Sequence, residues 1–281
     1  MLGSRRQRRS RPAAVAGTFY PSPPSVLATA VSRLLDEVAW SAASAAPWPT
    51  PTALIAPHAG YPYSGPVAAH AFVRLDRSRG GSAGGRRRVV VIGPSHYVPF
   101  AGIALSGAAA FVTPLGPVEV DREAEAVLLD LASVSIYPPA HEREHSIEVE
   151  LPFLQLVLGD FRLVPLVVGE AAAAVVGEAL ERVWDDDTLV VVSSDLTHFL
   201  DYDTARARDQ ETARAIAALS RDDFRPEEAC GSVAINGLVW AARRRGGAMC
   251  TLDLRSSGDT AGDRARVVGY GAWALAAEVT S

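Results

Sequence analysis

The sequence predicts an α/β fold in which helices cover both faces of a central mixed or parallel sheet. Short runs of β-branched and aliphatic residues alternate along the chain with segments whose apolar residues recur at helical spacing, which is typical of that class. Hydrophobic residues make up 48% of the sequence, enough for a sizeable core. No internal repeat or long linker divides the 281 residues, which therefore predict one domain.

The first part of the chain begins with an arginine-rich stretch. We expect residues 1–12 to form a disordered tail and residues 13–281 to form the α/β domain. Apolar spacing predicts a helix over 24–40, a buried run predicts a strand over 53–56, and a second helix follows over 64–75. The glycine- and arginine-rich segment 77–88 predicts an exposed loop.

The same alternation continues to the end of the chain. Predicted strands cover 89–92, 103–105, 111–112, 163–168, 189–192, 249–254 and 267–277. Predicted helices cover 121–132, with Asp121 as the N-cap, then 171–184, 203–219 and 233–245.

Composition excludes several classes of protein. A formal net charge of -5 is not that of a nucleic-acid-binding domain. No apolar run reaches the roughly 18 residues that a membrane span needs. The 2 cysteines, Cys230 and Cys250, are too few for a disulfide scaffold and favour a reducing compartment. We therefore expect a cytoplasmic protein with neither nucleic acid nor membrane as a partner.

Histidines follow the predicted strands closely. His58 follows the strand 53–56, His96 follows 89–92, and Asp195 and His198 follow 189–192. Ligands of α/β sheets bind beyond the carboxyl ends of the strands, so this placement predicts a common pocket of the kind that holds a metal.

Cys230 stands just before the predicted helix 233–245. The partial positive charge of a helix N-terminus lowers the pKa of a thiol, and the thiolate is the form that binds metal or attacks an electrophile. The alternative is that Cys230 is only a small buried residue.

Two motifs in the sequence suggest other kinds of site. Residues 141–145 read His-Glu-x-x-His, which on a helix would bind zinc, but Pro138 and Pro139 place His141 in a loop or a first turn. We expect a helix that begins near Ser146 instead, with His145 at its start. A serine hydrolase built on Ser95 or Ser194 lacks the G-x-S-x-G turn, and no dinucleotide-binding or phosphate-binding glycine motif occurs.

Seven stretches of the sequence occur together in a recognisable order. They are AGTFYP (16–21), LIAPHAGYPYSG (54–65), VIGPSH (91–96), EHSIEVELPFLQ (144–155), VVSSDLTHF (191–199), CG with its following helix (230–238) and SSGD…VVGY (256–270). With these stretches the chain resembles the Memo family, whose bacterial and archaeal members are called AmmeMemoRadiSam system protein B.

The resemblance implies a fold similar to the class III extradiol dioxygenases of the LigB type, which hold non-haem Fe(II) with two histidines and a carboxylate. In Memo-like proteins two histidines and a cysteine take that place. Carried onto this chain, the metal ligands are His58, His96 and Cys230, and the metal is iron or copper, with zinc as an alternative. The resemblance also places three candidate catalytic residues in the pocket: His145, Asp195 and His198. Either His145 or His198 would be the general acid or base.

The function implied is a metal-dependent redox enzyme or dioxygenase relative that acts on a small molecule. A non-catalytic module that binds a metal, a peptide or a partner protein through the same pocket is the alternative, and a metal-free hydrogen-bonded cluster is a third hypothesis. The family name implies an AMMECR1-like protein and a radical SAM protein as partners.

Overall fold

A computed structural model describes residues 9–42, 50–75 and 87–276, and most of its strands form one sheet. The strands are β1 (Ala53–Ala56), β2 (Arg87–Pro94), β3 (Ile103–Leu105), β4 (Ala110–Thr113), β5 (Gly116–Glu119), β6 (Val134–Ile136), β7 (Phe161–Val168), β8 (Thr188–Ser193), β9 (His198–Leu200), β10 (Ala248–Ser256) and β11 (Val267–Ala276). Their order in the sheet is β10-β11-β1-β8-β2-β7-β3-β6, with β9 paired to β11, while β4 and β5 form a separate hairpin.

The centre of the sheet is parallel and its margins are partly antiparallel. Strand β8 lies between β1 and β2 and is parallel to both, and β2 is parallel to β7. On either side, β11 runs antiparallel to β1 and β3 antiparallel to β7. Every residue of β1 and β8 is buried, as expected of parallel strands covered on both faces. The predicted mixed sheet is confirmed.

Helices cover both faces of this sheet. They are α1 (Pro24–Ala42), α2 (Tyr61–Phe72), α3 (Arg122–Leu128), α4 (Pro139–Glu142), α5 (Leu151–Leu158), α6 (Ala173–Val183), α7 (Tyr202–Ala217), α8 (Ser232–Arg245) and α9 (Ser257–Thr260). One apolar core includes Leu27 of α1, Phe72 of α2 and Phe153 of α5. The other includes Leu180 of α6 and Leu238 of α8. The two cores lie on opposite sides of the sheet because successive side chains of a strand point to opposite faces.

Some element boundaries differ from the predicted ones for identifiable reasons. Helix α2 begins at Tyr61, before the predicted start, because a proline is accepted in its first turn, where the backbone N–H has no helical partner. Arg88, predicted in a loop, lies in β2 and forms an ion pair with Asp121 at 2.9 Å. The predicted N-cap is confirmed, since the Asp121 carboxylate accepts the N–H groups of Glu123 and Ala124. The rest of the predicted loop, 77–86, lies outside the described residues.

The predicted tail is wrong for its last residues, because Arg11 is part of the fold. Its guanidinium is buried and donates to the carbonyl of His141 at 2.9 Å, to the carbonyl of Glu144 and to the carboxylate of Glu148. A buried guanidinium needs such partners, and here the counter-charge comes from a distant segment. Residues 1–8 lie outside the described residues.

Within the three described ranges, no helix has the length and apolar character needed to cross a membrane.

Candidate functional site

Three parallel strands deliver polar residues to the same edge of the sheet. His58 lies two residues beyond the end of β1, His96 two beyond β2 and Asp195 two beyond β8. A fourth residue, His145, lies in the segment between α4 and a 3-10 turn (Glu148–Glu150) that precedes α5. The carboxyl edge of the sheet is where this class of fold binds its ligands.

Three imidazoles meet at this edge and form what we call the histidine trio: His58, His96 and His145. One nitrogen from each ring lies within 4.8 Å of the others. The ring centroids are 5.1 Å apart for His58 and His96, 5.3 Å for His58 and His145, and 4.6 Å for His96 and His145. His58 is fully buried, whereas the His96 side chain is 27% exposed and opens the trio to solvent.

Burial keeps two rings of the trio neutral. It lowers the pKa of His58 well below 6.5, and repulsion from the neighbouring histidines adds to the effect. Burial also lowers the pKa of His145 to about 4, although the Glu144 carboxylate acts in the opposite direction. A neutral imidazole is the form that binds a metal ion.

His58 is oriented by a buried polar chain. Its Nδ1 lies 2.8 Å from the hydroxyl of Ser193, which in turn lies 2.8 Å from Oε1 of Glu150. Burial raises the pKa of Glu150 well above its usual value, although the hydrogen bond that Ser193 donates to it acts in the opposite direction. The Ser193 hydroxyl has one hydrogen and donates it to Glu150 or to the carbonyl of Ser146, which is 2.6 Å away, so it accepts the Nδ1–H of His58. The lone pair of His58 is then on Nε2, which faces the thiol of Cys230.

Glu144 orients His96. One carboxylate oxygen lies 2.8 Å from Nδ1 of His96, and the other accepts the backbone N–H of the same residue at 2.7 Å. The N–H groups of His145 and Ser146 also donate to Glu144, each at 2.9 Å. Burial opposes ionisation, but the His96 interactions and the backbone N–H groups outweigh it and hold the pKa of Glu144 at about 2. The carboxylate therefore fixes Nδ1–H of His96 and leaves Nε2 for a ligand.

His145 contributes a ring nitrogen without a partner. Its buried Nδ1 has no hydrogen bond among the described residues, and it lies 3.5 Å from Glu144 Oε1. Phe19 packs against the ring, with 4.7 Å between centroids. A buried polar nitrogen in this state is satisfied when it binds an ion or a water molecule.

Cys230 lies beside the histidine trio but outside the set of atoms within 4.8 Å of one another. Its Sγ is 3.3 Å from Nε2 of His58 and accepts the backbone N–H of Asp195 at 3.3 Å. Two atoms that bind one tetrahedral ion through typical zinc–sulfur and zinc–nitrogen bonds lie about 3.5 Å apart. The spacing of the thiol and His58 is therefore compatible with a shared ion.

The predicted lowering of the Cys230 pKa is wrong for the metal-free chain. Burial and the nearby carboxyl group of Asp195 raise the pKa of the thiol to about 12, even though α8 begins two residues later. Desolvation disfavours the thiolate more strongly than the helix N-terminus favours it. A metal ion would have to displace the thiol proton on binding.

Asp195 and His198 lie at the same edge and support it in different ways. The Asp195 carboxylate accepts the backbone N–H of His58 at 2.8 Å and thereby fixes the loop after β1. Burial raises the pKa of Asp195 to about 7. His198 has its Nδ1 2.8 Å from the Leu196 carbonyl, and burial lowers its pKa. Neither residue belongs to the trio.

The residues that orient the trio were not singled out in advance as site residues. Ser193 is a polar residue at the end of an apolar strand, and Glu144 and Glu150 precede a strongly apolar helix, which is a signal that sequence reasoning had available. His141 stands apart from the trio: its Nε2 is 2.9 Å from the Ala104 carbonyl, and burial lowers its pKa to about 4. The His-Glu-x-x-His segment therefore does not bring its two histidines together.

A family model and individual relatives both match this chain to the same family. The family model described as Memo-like protein matches residues 11–274. A MEMO1 family protein of Methanothermobacter thermautotrophicus is 35% identical over 280 residues, covering 92% of this chain and 97% of the relative. Those of Thermoplasma acidophilum (35% identical, 92% and 96% covered) and Aquifex aeolicus (32% identical, 93% and 97% covered) are similar to it as well.

Among solved structures, an uncharacterized protein of Escherichia coli K12 superposes with a TM-score of 0.48 at 12% sequence identity. The superposition covers 78% of this chain and 98% of that one.

Proposed function

This chain belongs to the Memo-like protein family, and on that premise we propose that it is a metal-dependent redox enzyme acting on a small molecule, with the ion held by His58, His96 and a third ligand, either Cys230 or His145. The observation that carries the proposal is the trio itself, in which three imidazole nitrogens lie within 4.8 Å of one another. In His58 and His96 the other ring nitrogen is fixed by a protein hydroxyl or carboxylate, as in metal-binding histidines generally.

The residues present fit a metal ion. His58 and His96 each offer an oriented Nε2, and His145 adds a buried nitrogen that has no hydrogen bond among the described residues. The third ligand is Cys230 or His145. A thiolate favours copper(I), zinc or iron, and imidazoles suit all three metals. When bound, iron or copper supplies one-electron redox chemistry, and any of the three supplies Lewis-acid activation.

The surrounding residues orient the proposed ligands and provide candidates for proton transfer. Glu144 and Ser193 hold the two imidazoles in position, and Asp195 holds the backbone of the loop that carries His58. His198 and, when Cys230 is the third ligand, His145 are the candidate general bases, since burial lowers their pKa and keeps one ring nitrogen unprotonated.

X-ray absorption on protein purified anaerobically and without chelator tests the site and identifies the third ligand. A sulfur neighbour at about 2.3 Å that disappears in Cys230→Ser assigns the cysteine. An all-nitrogen shell that loses one neighbour in His145→Ala assigns the histidine. His70→Ala serves as the matched control, because His70 lies on α2 next to Asp253 and Arg255 and outside the trio. An unchanged shell in both site variants would refute the ligand assignment.

Oxygen consumption by the loaded protein with a panel of catechol-type and other small substrates then tests the redox activity. Turnover that is lost in His96→Ala supports it. No consumption with any substrate, from protein that holds its metal, would count against it.

A binding module that uses the same edge is the second candidate, and exposed aromatic residues favour it. Tyr97 and Phe199 are 44% and 62% exposed beside the histidines that precede them. Arg143 lies over the Tyr97 ring at 4.8 Å, and Arg266 lies over the Phe199 ring at 5.1 Å. The AMMECR1-like and radical SAM proteins implied by the resemblance are the proposed partners. Co-purification with tagged versions of both, compared between wild type and Phe199→Ala, tests this alternative.

A further inference from the structure

A cavity of about 610 Å³ is lined in part by Cys230. Of the proposed metal-binding residues, only Cys230 is among those that line it. The cavity lies between the loop after β2, the end of β7 and the segment that begins α8. Most of its wall is apolar, from Pro94, Val98, Pro99, Phe100, Val168, Pro226 and Val233. A volume in this range suits a small organic ligand with an apolar body.

One end of the cavity carries unpartnered backbone donors. Helix α8 has 14 residues, and its N-cap, Gly231, provides no side-chain cap. Val233 and Ala234 line the cavity, and the N–H group of neither residue has a hydrogen-bond partner in the described part of the chain. The first N–H groups of a helix point along its axis and favour an anion.

A buried hydroxyl points to the same ligand independently. Ser232 is 1% exposed and lines the cavity, and within the described ranges no hydrogen bond reaches its hydroxyl group. Because the rest of this side chain is buried, a molecule in the cavity is the partner available to its hydroxyl group.

The charges around the cavity limit the ligand to a weak anion. Among the described residues no lysine, arginine or histidine lines it, and the exposed residue Glu170 is part of its wall. A phosphate dianion would meet donors but no cation there, whereas a carboxylate needs only two or three hydrogen bonds.

We propose that this cavity binds a small monocarboxylate with an apolar body about one or two rings in size. The carboxylate accepts the N–H groups of Val233 and Ala234 and the hydroxyl hydrogen of Ser232, and the apolar body packs against Phe100 and Pro226. That this molecule is the substrate rests on the proposed function, because Cys230 both lines the cavity and lies beside the histidine trio. The binding of the molecule to the cavity does not depend on the proposed function.

Benzoate and its neutral isostere benzamide are the probes, titrated by calorimetry into the full chain in metal-free and metal-loaded form. Benzoate binds the metal-free protein, and benzamide binds at least about tenfold more weakly because it lacks the charge. Ser232→Ala weakens benzoate binding roughly tenfold, the loss typical when a charged group loses one hydrogen bond. Val233→Pro removes one N–H at a position where a helix tolerates proline, and it lowers affinity as well.

Ser135→Ala, on strand β6 and outside the lining of the cavity, is the matched control and leaves binding unchanged. Thermal unfolding of each variant shows that the fold is retained. Absence of benzoate binding at millimolar concentration, or equal affinity in wild type, Ser232→Ala and Val233→Pro, overturns the proposal. Benzoate binding that requires the metal and is unchanged in Ser232→Ala also overturns the proposal, because the probe then binds to the metal ion. Benzoate binding by a protein that takes up no metal supports the cavity while refuting the proposed function.

Discussion

The buried ion pair between Arg11 and Glu148 anchors the start of the chain to the segment that carries His145. Glu148 is fully buried and, besides Arg11, accepts the backbone N–H of Ala14 at 2.7 Å and of Val15 at 3.0 Å. Glu148→Gln keeps the shape but removes the charge, leaving the guanidinium buried without its counter-ion.

The expected cost of this change follows from the burial of both partners. Breaking a buried pair by removing one charge costs about 3–5 kcal/mol. At roughly 2–4 °C per kcal/mol for a domain somewhat smaller than this one, the melting temperature falls by about 6–20 °C. Urea denaturation measures the free energy of unfolding directly, and calorimetry measures the melting temperature.

An exposed pair of the same chemistry provides the control. Arg244 and Glu181 lie 3.0 Å apart on the surface, and Glu181→Gln should change the free energy of unfolding by less than about 0.5 kcal/mol. The double variant Arg11→Met, Glu148→Gln should cost less than the sum of the single variants, because it leaves no unpaired charge. A loss below about 1 kcal/mol in Glu148→Gln would refute the reasoning.

Three further predictions concern the site and its surroundings. Glu144→Gln weakens metal binding by about 10–100-fold, measured by competition with a chelator, because it loses the carboxylate that orients His96; unchanged affinity would contradict this role. Stability falls as the pH drops from about 6.5 to 4, because the unfolded chain binds a proton at His141 while the folded pKa stays at about 4. His141→Gln removes up to about 1.4 kcal/mol per pH unit from that slope in acid denaturation curves, and an unchanged slope would exclude the effect. Gly93→Ala destabilises the fold and disturbs the site, because its added methyl carbon would lie 2.5 Å from the Ser146 hydroxyl; thermal unfolding and metal content together test this, and a wild-type melting temperature would argue against it.

The fold and part of the site could be predicted because they depend on local patterns. Apolar runs mark β1, β2 and β8, and the strand-end rule of α/β sheets then puts His58, His96 and Asp195 at one edge. The structure agrees on both points.

The rest depends on contacts between distant parts of the chain. Local sequence predicts that Arg11 is a solvated tail residue, because nothing near it in the chain indicates its partner. That partner, Glu148, lies 137 residues further along the chain. The position of His145 within the trio depends on the packing of that same segment. The raised pKa of Cys230 reflects burial that no local signal reveals, and it outweighs the helix N-terminus on which the sequence argument relied.

Metal content measured by mass spectrometry, on wild type and His96→Ala purified anaerobically side by side, tests the central claim most directly. His96 is the partly exposed member of the trio, so its removal should leave the fold intact while it removes one oriented ligand. We predict near-stoichiometric iron, copper or zinc in the wild type and its loss in the variant. Equal metal in both proteins, or none in the wild type after reconstitution with each metal, would contradict the account.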